Sequence, residues 1–220
     1  SAKILRVKQV YSKKQIAEIV RDGIRKNKVD VTIKIVQTGG VSSDGFTPNG
    51  KPTFFILFMK VTDYPREWYT KGIKLVTSQL MRQIPEAKSI NYMASIVEVM
   101  KAQKKGAVDI LHTDPKGNMY ESTRSNFYIV KKGEIITPKQ GILFGITRKA
   151  IIHIAHKLQI KVKEQGITIK DLFNAEEAFI SNSSMEIVPV VKVNNLKIGE
   201  GKVGTVTMKL ITEFRECVTS

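Results

Sequence analysis

Apolar residues follow a helical period near the start of the chain and alternate with polar residues further on. The stretch 12–27 places isoleucine and valine on one face of a predicted helix, and Ser12 is positioned to cap it. The alternating stretch 29–36 and the apolar run 53–61 predict two strands. Between them lies a Gly-, Ser- and Pro-rich loop, 38–52, of a length that is more often functional than idle.

A polar segment at residues 62–65 is the predicted junction between a small domain, residues 1–63, and a larger domain, residues 64–220. The larger domain has predicted strands near 73–77, 107–112, 119–130, 134–137, 178–181 and 187–193, and predicted helices near 92–104, 146–158 and 204–217. Strands and helices are mixed without regular alternation, so the pattern predicts an α+β fold and not a doubly wound parallel sheet.

The composition is that of a soluble globular protein, with 42% apolar and 25% charged residues in a chain of 220. The longest apolar run, 54–59, is the length of a buried strand and too short to span a membrane. Cys217 is the only cysteine, which excludes an intrachain disulfide. Together with the lack of a secretory signal in the opening residues, it favours a cytoplasmic location.

The formal net charge of +16 allows two interpretations. Clustered lysine and arginine can bind nucleic acid by releasing counterions from its phosphates. The cations here are instead spread along the whole chain and are not interleaved with aromatic residues. We therefore favour a solvated basic surface over nucleic-acid binding.

Several familiar catalytic patterns are missing from the sequence. His112, His153 and His156 are the only histidines, and with one cysteine they give no zinc-ligand spacing, so no metal site is predicted. There is also no phosphate-binding Walker loop, no dinucleotide-binding glycine motif and no nucleophile elbow.

Three stretches carry candidate chemistry, although each has a plain explanation when taken alone. Lys88 precedes a predicted helix and could be one more solvated lysine. Glu121 lies in a predicted buried strand but could end that strand at the surface. The helix start 145–148 offers backbone donors, a hydroxyl and a cation to a phosphate, and the Ser/Asn-rich stretch 181–184 could be an ordinary loop.

The order of these motifs resembles that of the class IV aminotransferases. The motifs are Lys88-x-x-Asn-Tyr, Glu121-x-x-x-x-Asn-x-aromatic-x-Val, Ile142-Leu-x-Gly-Ile-Thr-Arg and Phe179-Ile-Ser-x-Ser-x-x-Glu-Ile-x-Pro. This is the fold-type IV family of pyridoxal 5'-phosphate (PLP) enzymes, which includes branched-chain and D-amino-acid aminotransferases and aminodeoxychorismate lyases. The resemblance extends from the first helix to the C-terminal helix. It implies a small α/β N-terminal domain and a larger mixed-sheet domain, with PLP in the cleft between them.

The resemblance assigns roles around the cofactor ring. Lys88 forms the Schiff base with the PLP aldehyde and then acts as the base at the substrate Cα, which suits a lysine with a lowered pKa. Glu121 faces the pyridine nitrogen and keeps it protonated, so that the ring withdraws electrons. Tyr92 hydrogen-bonds the ring hydroxyl.

The resemblance also assigns the phosphate and substrate contacts. Gly145, Ile146 and Thr147 bind the PLP phosphate at the helix start, and Ser183 contributes from another loop. Ser184 lies near the substrate carboxylate. Two further residues are expected to be structural: Arg148 supports the helix and sheet, and Asn126 satisfies buried backbone groups.

The implied reaction transfers an amino group between an amino acid and a 2-oxo acid, and family members act as homodimers. The loop 39–52 lacks the Arg-x-His carboxylate trap of the D-amino-acid enzymes, so a branched-chain type of substrate is favoured. In family terms the chain begins just after a segment with a phosphate-clamping arginine, so we expect the small domain to be incomplete. The alternatives are an aminodeoxychorismate lyase and, in another class, a non-enzymatic basic module that binds nucleic acid.

Overall fold

Residues 1–63 form a helix packed on a two-stranded sheet. The computed structural model describes residues 1–219, which divide into two compact units between Asp63 and Tyr64. In the first unit, α1 (Lys13–Lys26) precedes the antiparallel pair β1 (Val31–Gln37) and β2 (Phe54–Lys60). Among residues 1–219, none of the helices combines the length and the apolar character that a membrane span requires.

The helix and the two strands of the first unit confirm the predictions within two residues at each end. Ser12 and Gln15 form a reciprocal capping box, in which each side chain accepts from the backbone of the other. On the inner face of α1, a Cβ on Gly23 would overlap the ring of Phe58. Glycine is therefore required there for the helix to approach β2 closely.

The second unit contains a mixed sheet and several helices. Its strands are β3 (Ile73–Ser78), β4 (Asp109–Thr113), β5 (Met119–Ser122), β6 (Asn126–Lys131), β7 (Glu134–Thr137), β8 (Val162–Glu164), β9 (Glu177–Asn182), β10 (Glu186–Val193) and β11 (Leu196–Lys197). Its helices are α2 (Arg66–Thr70), α3 (Met93–Gln103), α4 (Ile146–Lys157), α5 (Ile169–Phe173) and α6 (Thr205–Thr219). Parallel and antiparallel pairs coexist in the sheet, which confirms the predicted α+β class.

The strand pairings close on themselves around one core. β10 pairs with β3 and β9, β9 pairs with β6, and β4 and β5 connect β3 to β6. Successive residues of β6 therefore enter different cores: Phe127 and Ile129 pack on one side, and Tyr128 and Val130 on the other, beneath α4 and α6. Because both faces are covered, β6 is buried almost throughout. Its sequence is correspondingly a continuous apolar run.

The prediction of one strand over 119–130 is wrong, because the chain turns back between β5 and β6. Ser122 N–H donates to the Ser125 carbonyl, and Glu121 pairs with Asn126 across the turn. The Thr123 hydroxyl donates to the buried carboxylate of Asp109 over 2.7 Å. This turn is therefore held by a partner on another strand, and it places Glu121 directly opposite Asn126.

Four short elements were not predicted: α2, α5, β8 and β11. Each spans five residues or fewer, which is too short to show a periodic pattern of apolar residues. α5 does carry a local signal, since Thr168 and Asp171 form a capping box at its start. The other predicted strands and helices are confirmed, with ends that shift by one or two residues.

Candidate active site

Glu121 is the buried acid of the candidate site and leaves only 3% of its surface exposed. The Leu143 N–H donates to its Oε2 atom over 2.9 Å, and Arg82 Nη1 donates to its Oε1 atom over 2.8 Å. Burial raises the pKa of Glu121, whereas the Leu143 N–H and the charge of Arg82 lower it. The two donors thus offset part of the cost of removing this carboxylate from water.

Asn126 connects this acid to the loop that enters α4. Its Nδ2 atom donates to the Leu143 carbonyl over 2.7 Å and lies 3.4 Å from Glu121 Oε2. A Cβ on Gly145 would lie 2.5 Å from Asn126 Oδ1, so the loop passes too close for any side chain at this position. Asn126 therefore satisfies buried backbone, as expected from the sequence.

The start of α4 is arranged to receive an anion. Gly145 occupies the N-cap position without a side-chain capping bond, and the first turn contains no acidic residue. The first N–H groups of a helix lack partners within the helix, and they carry partial positive charge. Thr147 is buried and Ile146 is exposed, so this turn lies at the protein surface on its Ile146 side. Arg148 points elsewhere, with Nη2 donating to the Pro138 carbonyl and to Glu164.

Lys88 follows a segment that is hydrogen-bonded to Arg82, the partner of Glu121. Arg82 Nη2 donates to the Ala87 carbonyl over 2.6 Å, while its Nη1 atom holds Glu121. Burial lowers the pKa of Lys88, the charge of Arg82 lowers it further, and Glu121 opposes both. The residue as a whole is exposed, so a small molecule can reach its side chain.

Ser183 and Ser184 lie in the exposed turn between β9 and β10. Asn182 Oδ1 accepts from the N–H groups of Ser184 and Met185, and Asn182 Nδ2 donates to Ser125 Oγ over 2.8 Å. Because Ser125 directly precedes Asn126, this turn is anchored to the strand that carries the Glu121 network. The turn and the loop before α4 therefore both lie at the end of β6 that begins with Asn126.

The structure brings most of the predicted site residues together but leaves Tyr92 to one side. Hydrogen bonds link Glu121, Asn126 and the loop before Gly145, and electrostatic interaction links Lys88 to Glu121. Tyr92 is half-buried at the N-cap of α3, and within residues 1–219 no hydrogen bond joins it to this network.

Sequence reasoning missed two residues of this region. Arg82 is one of 36 cations, so nothing in its position marked it as the partner of Glu121. His112 did carry a signal, since an ionisable residue falls inside a predicted strand. Its ring is buried, and burial lowers the pKa of His112, with the charge of Arg82 acting in the same direction.

Replacing Arg82 with glutamine is expected to raise the pKa of Glu121 and that of Lys88, because the guanidinium lowers both. A ¹³C NMR titration of the Glu121 carboxyl carbon measures the first shift. Arg124→Gln removes an equal charge from an exposed position in the β5–β6 turn and should leave that titration unchanged. An identical Glu121 titration in Arg82→Gln would show that the ion pair does not form in solution.

Comparison with known proteins identifies the family. A family model described as amino-transferase class IV matches residues 1–193. A putative branched-chain-amino-acid aminotransferase of Methanocaldococcus jannaschii is 34% identical, over 100% of this chain and 78% of that protein. A D-alanine aminotransferase of Staphylococcus haemolyticus is 32% identical, over 96% of this chain and 76% of that protein.

Solved structures agree with this assignment. The branched-chain amino acid aminotransferase of Escherichia coli superposes with a TM-score of 0.86 at 29% identity, covering 98% of this chain and 75% of that one. That of Thermoproteus uzoniensis, solved with norvaline, gives a TM-score of 0.86 at 26% identity, covering 99% and 75%. The match to the family model and the relatives above 30% identity confirm the resemblance drawn from the motifs, and the chain belongs to the class IV aminotransferases, a family of PLP-dependent enzymes.

Proposed function

We propose that this chain binds PLP at the Glu121 network and the start of α4, and uses it to transfer amino groups from a branched-chain type of amino acid. The observation that carries the proposal is the hydrogen-bonded path from Glu121 through Asn126 to the loop before Gly145. It joins a buried acid to an anion-binding helix start, which are the two groups that opposite ends of PLP require.

The residues present fit the cofactor. Glu121 would face the pyridine nitrogen, and Tyr92 would reach the ring hydroxyl. The backbone of Gly145, Ile146 and Thr147, at an uncapped helix start, would hold the phosphate. Ser183 would add a contact from the β9–β10 turn, and Ser184 would meet the substrate carboxylate.

Bound PLP supplies an electron-withdrawing ring that stabilises negative charge at the substrate Cα. Lys88 supplies the amine that bonds to the cofactor aldehyde. Because burial and Arg82 lower its pKa, the Lys88 Nζ atom is neutral more readily than an ordinary lysine. Once the substrate amine has displaced it from the cofactor, the Lys88 amine would be free to accept the proton from the substrate Cα, as amino transfer requires.

Replacing Lys88 with alanine is expected to abolish the visible absorption band of the PLP-loaded protein, because the covalent link is lost. For the same reason, borohydride reduction should no longer attach PLP permanently to the protein. Lys104→Ala, at an exposed position just after α3, is the matched control and should keep both. Circular dichroism checks that both variants remain folded. A band of normal intensity in Lys88→Ala would assign the covalent link to another amine.

The branched-chain preference is supported by a relative that is named for such substrates and by the loop 39–52. A branched-chain-amino-acid aminotransferase of Salmonella typhimurium is 33% identical over 97% of this chain. A D-alanine enzyme is similar at nearly the same identity, so the loop is the discriminating feature. It contains no Arg-x-His sequence that could trap a D-amino acid.

We expect L-leucine to be a better amino donor to 2-oxoglutarate than D-alanine, by about tenfold or more in kcat/KM, because the loop 39–52 lacks the Arg-x-His trap for D-amino acids and each added methylene of an apolar substrate is worth roughly tenfold. A coupled assay of product formation measures both rates. Faster transfer from D-alanine would contradict the substrate class. Release of pyruvate from aminodeoxychorismate without an amino acceptor would instead support the lyase alternative.

The working unit is a cytoplasmic homodimer, and the exposed apolar face of α3 supports this assembly. Met93, Ile96 and Met100 follow a helical period and are 77%, 56% and 59% exposed. Such a face is costly in water unless a partner covers it.

Light scattering should give twice the chain mass of 24.7 kDa, and Ile96→Asp should shift the protein to monomer while Lys101→Gln does not. A monomeric parent protein would contradict the proposed assembly.

A further inference from the structure

A separate cavity of about 360 Å³ lies between α2 and α6 in the second unit. Tyr64, Arg66 and Tyr69 line it from the α2 side. Met208, Ile211 and Arg215 line it from α6. None of these residues was assigned a role in the proposed cofactor site, and the volume suits a small organic molecule.

The lining of the cavity combines cations with apolar surface. Arg215 already binds a carboxylate, since its Nε atom donates to Glu186 Oε2 over 2.7 Å. The Arg215 guanidinium also lies 5.1 Å from the centre of the Tyr69 ring, a cation–π contact at the cavity wall. Arg66 adds a second guanidinium, while Met208 and Ile211 offer contacts to an apolar body. This chemistry matches a small carboxylate with an aromatic or aliphatic group.

The same side chains connect the cavity to the β9–β10 turn. The Tyr69 hydroxyl donates to the Met185 carbonyl over 3.2 Å, and Arg215 holds the next residue, Glu186. Glu186 has a φ angle of +59°, a left-handed conformation that is unfavourable for a residue with a side chain. The turn is therefore kept in place partly by contacts made from this cavity, and a ligand that engages Arg215 competes with Glu186.

We infer that this cavity is a regulatory site for a small carboxylate with an apolar body, and that its occupation changes the conformation of the turn carrying Ser183 and Ser184. The regulatory part rests on the proposed function, in which that turn contacts the PLP phosphate and the substrate. A ligand on Arg215 releases Glu186, relaxes the turn and weakens cofactor binding.

Binding can be followed through Trp68, the only tryptophan of the chain, whose ring lies 5.6 Å from that of Tyr64 at the cavity. Titration with 3-phenylpropionate should change Trp68 fluorescence in a saturable way. Arg215→Gln and Arg66→Gln should each weaken the apparent affinity about tenfold, the loss expected for a hydrogen bond to a charged group. Lys209→Gln, on an exposed position of α6 outside the cavity, should not.

Regulation is tested by measuring PLP affinity from its visible absorption, with and without saturating 3-phenylpropionate. The additive should weaken PLP binding about fivefold or more in the parent protein and much less in Arg66→Gln. No saturable Trp68 signal, or one that both arginine variants leave unchanged, would overturn the site. Unchanged PLP affinity at saturation would overturn its regulatory role. If the protein takes up no PLP, the proposed function fails while the fluorescence titration still decides whether the site exists.

Discussion

The ion pair between Arg82 and Glu121 is the interaction on which the candidate active site depends. A carboxylate as buried as that of Glu121 is stable only if donors replace the water it has lost. Arg82 provides one donor and reaches the Ala87 carbonyl with the other arm of its guanidinium. A single side chain therefore both stabilises the ionised form of the acid and holds the segment that ends at Lys88.

The Arg82 guanidinium also affects the pKa values of Glu121 and Lys88. It attracts the negative form of Glu121 and repels the positive form of Lys88, so it lowers both pKa values. Burial favours the neutral form of both groups, and it raises the pKa of Glu121 overall in spite of Arg82. Arg82 therefore opposes burial at the acid and adds to its effect at the amine.

Much of the fold was predictable because its signals are local. The capping residue Ser12, for example, depends on neighbouring residues only. The break between β5 and β6 depends instead on Asp109, a residue more than ten positions away, so an apparently continuous strand pattern concealed it. The closure of the strand circuit through β9 is likewise a long-range pairing that alternation cannot reveal.

The candidate site was predictable where motif order marked it and not where a residue acts through its surroundings. Lys88, Glu121 and Gly145 belong to spaced motifs, and the structure joins their segments through Arg82 and Asn126. Arg82 itself looked like any other surface cation, because its role comes from the burial of its partner. The role of Asn126 was predictable, since a buried amide beside an acid must satisfy its own hydrogen bonds.

The most direct test is ¹⁵N NMR of the protein loaded with PLP labelled at the pyridine nitrogen. If Glu121 is held as described, the nitrogen is protonated at neutral pH, and Glu121→Gln shifts its resonance to the position of the unprotonated ring. A parent protein whose ¹⁵N chemical shift is that of the unprotonated ring, or a shift that is the same in Glu121→Gln, would contradict the central role of this acid.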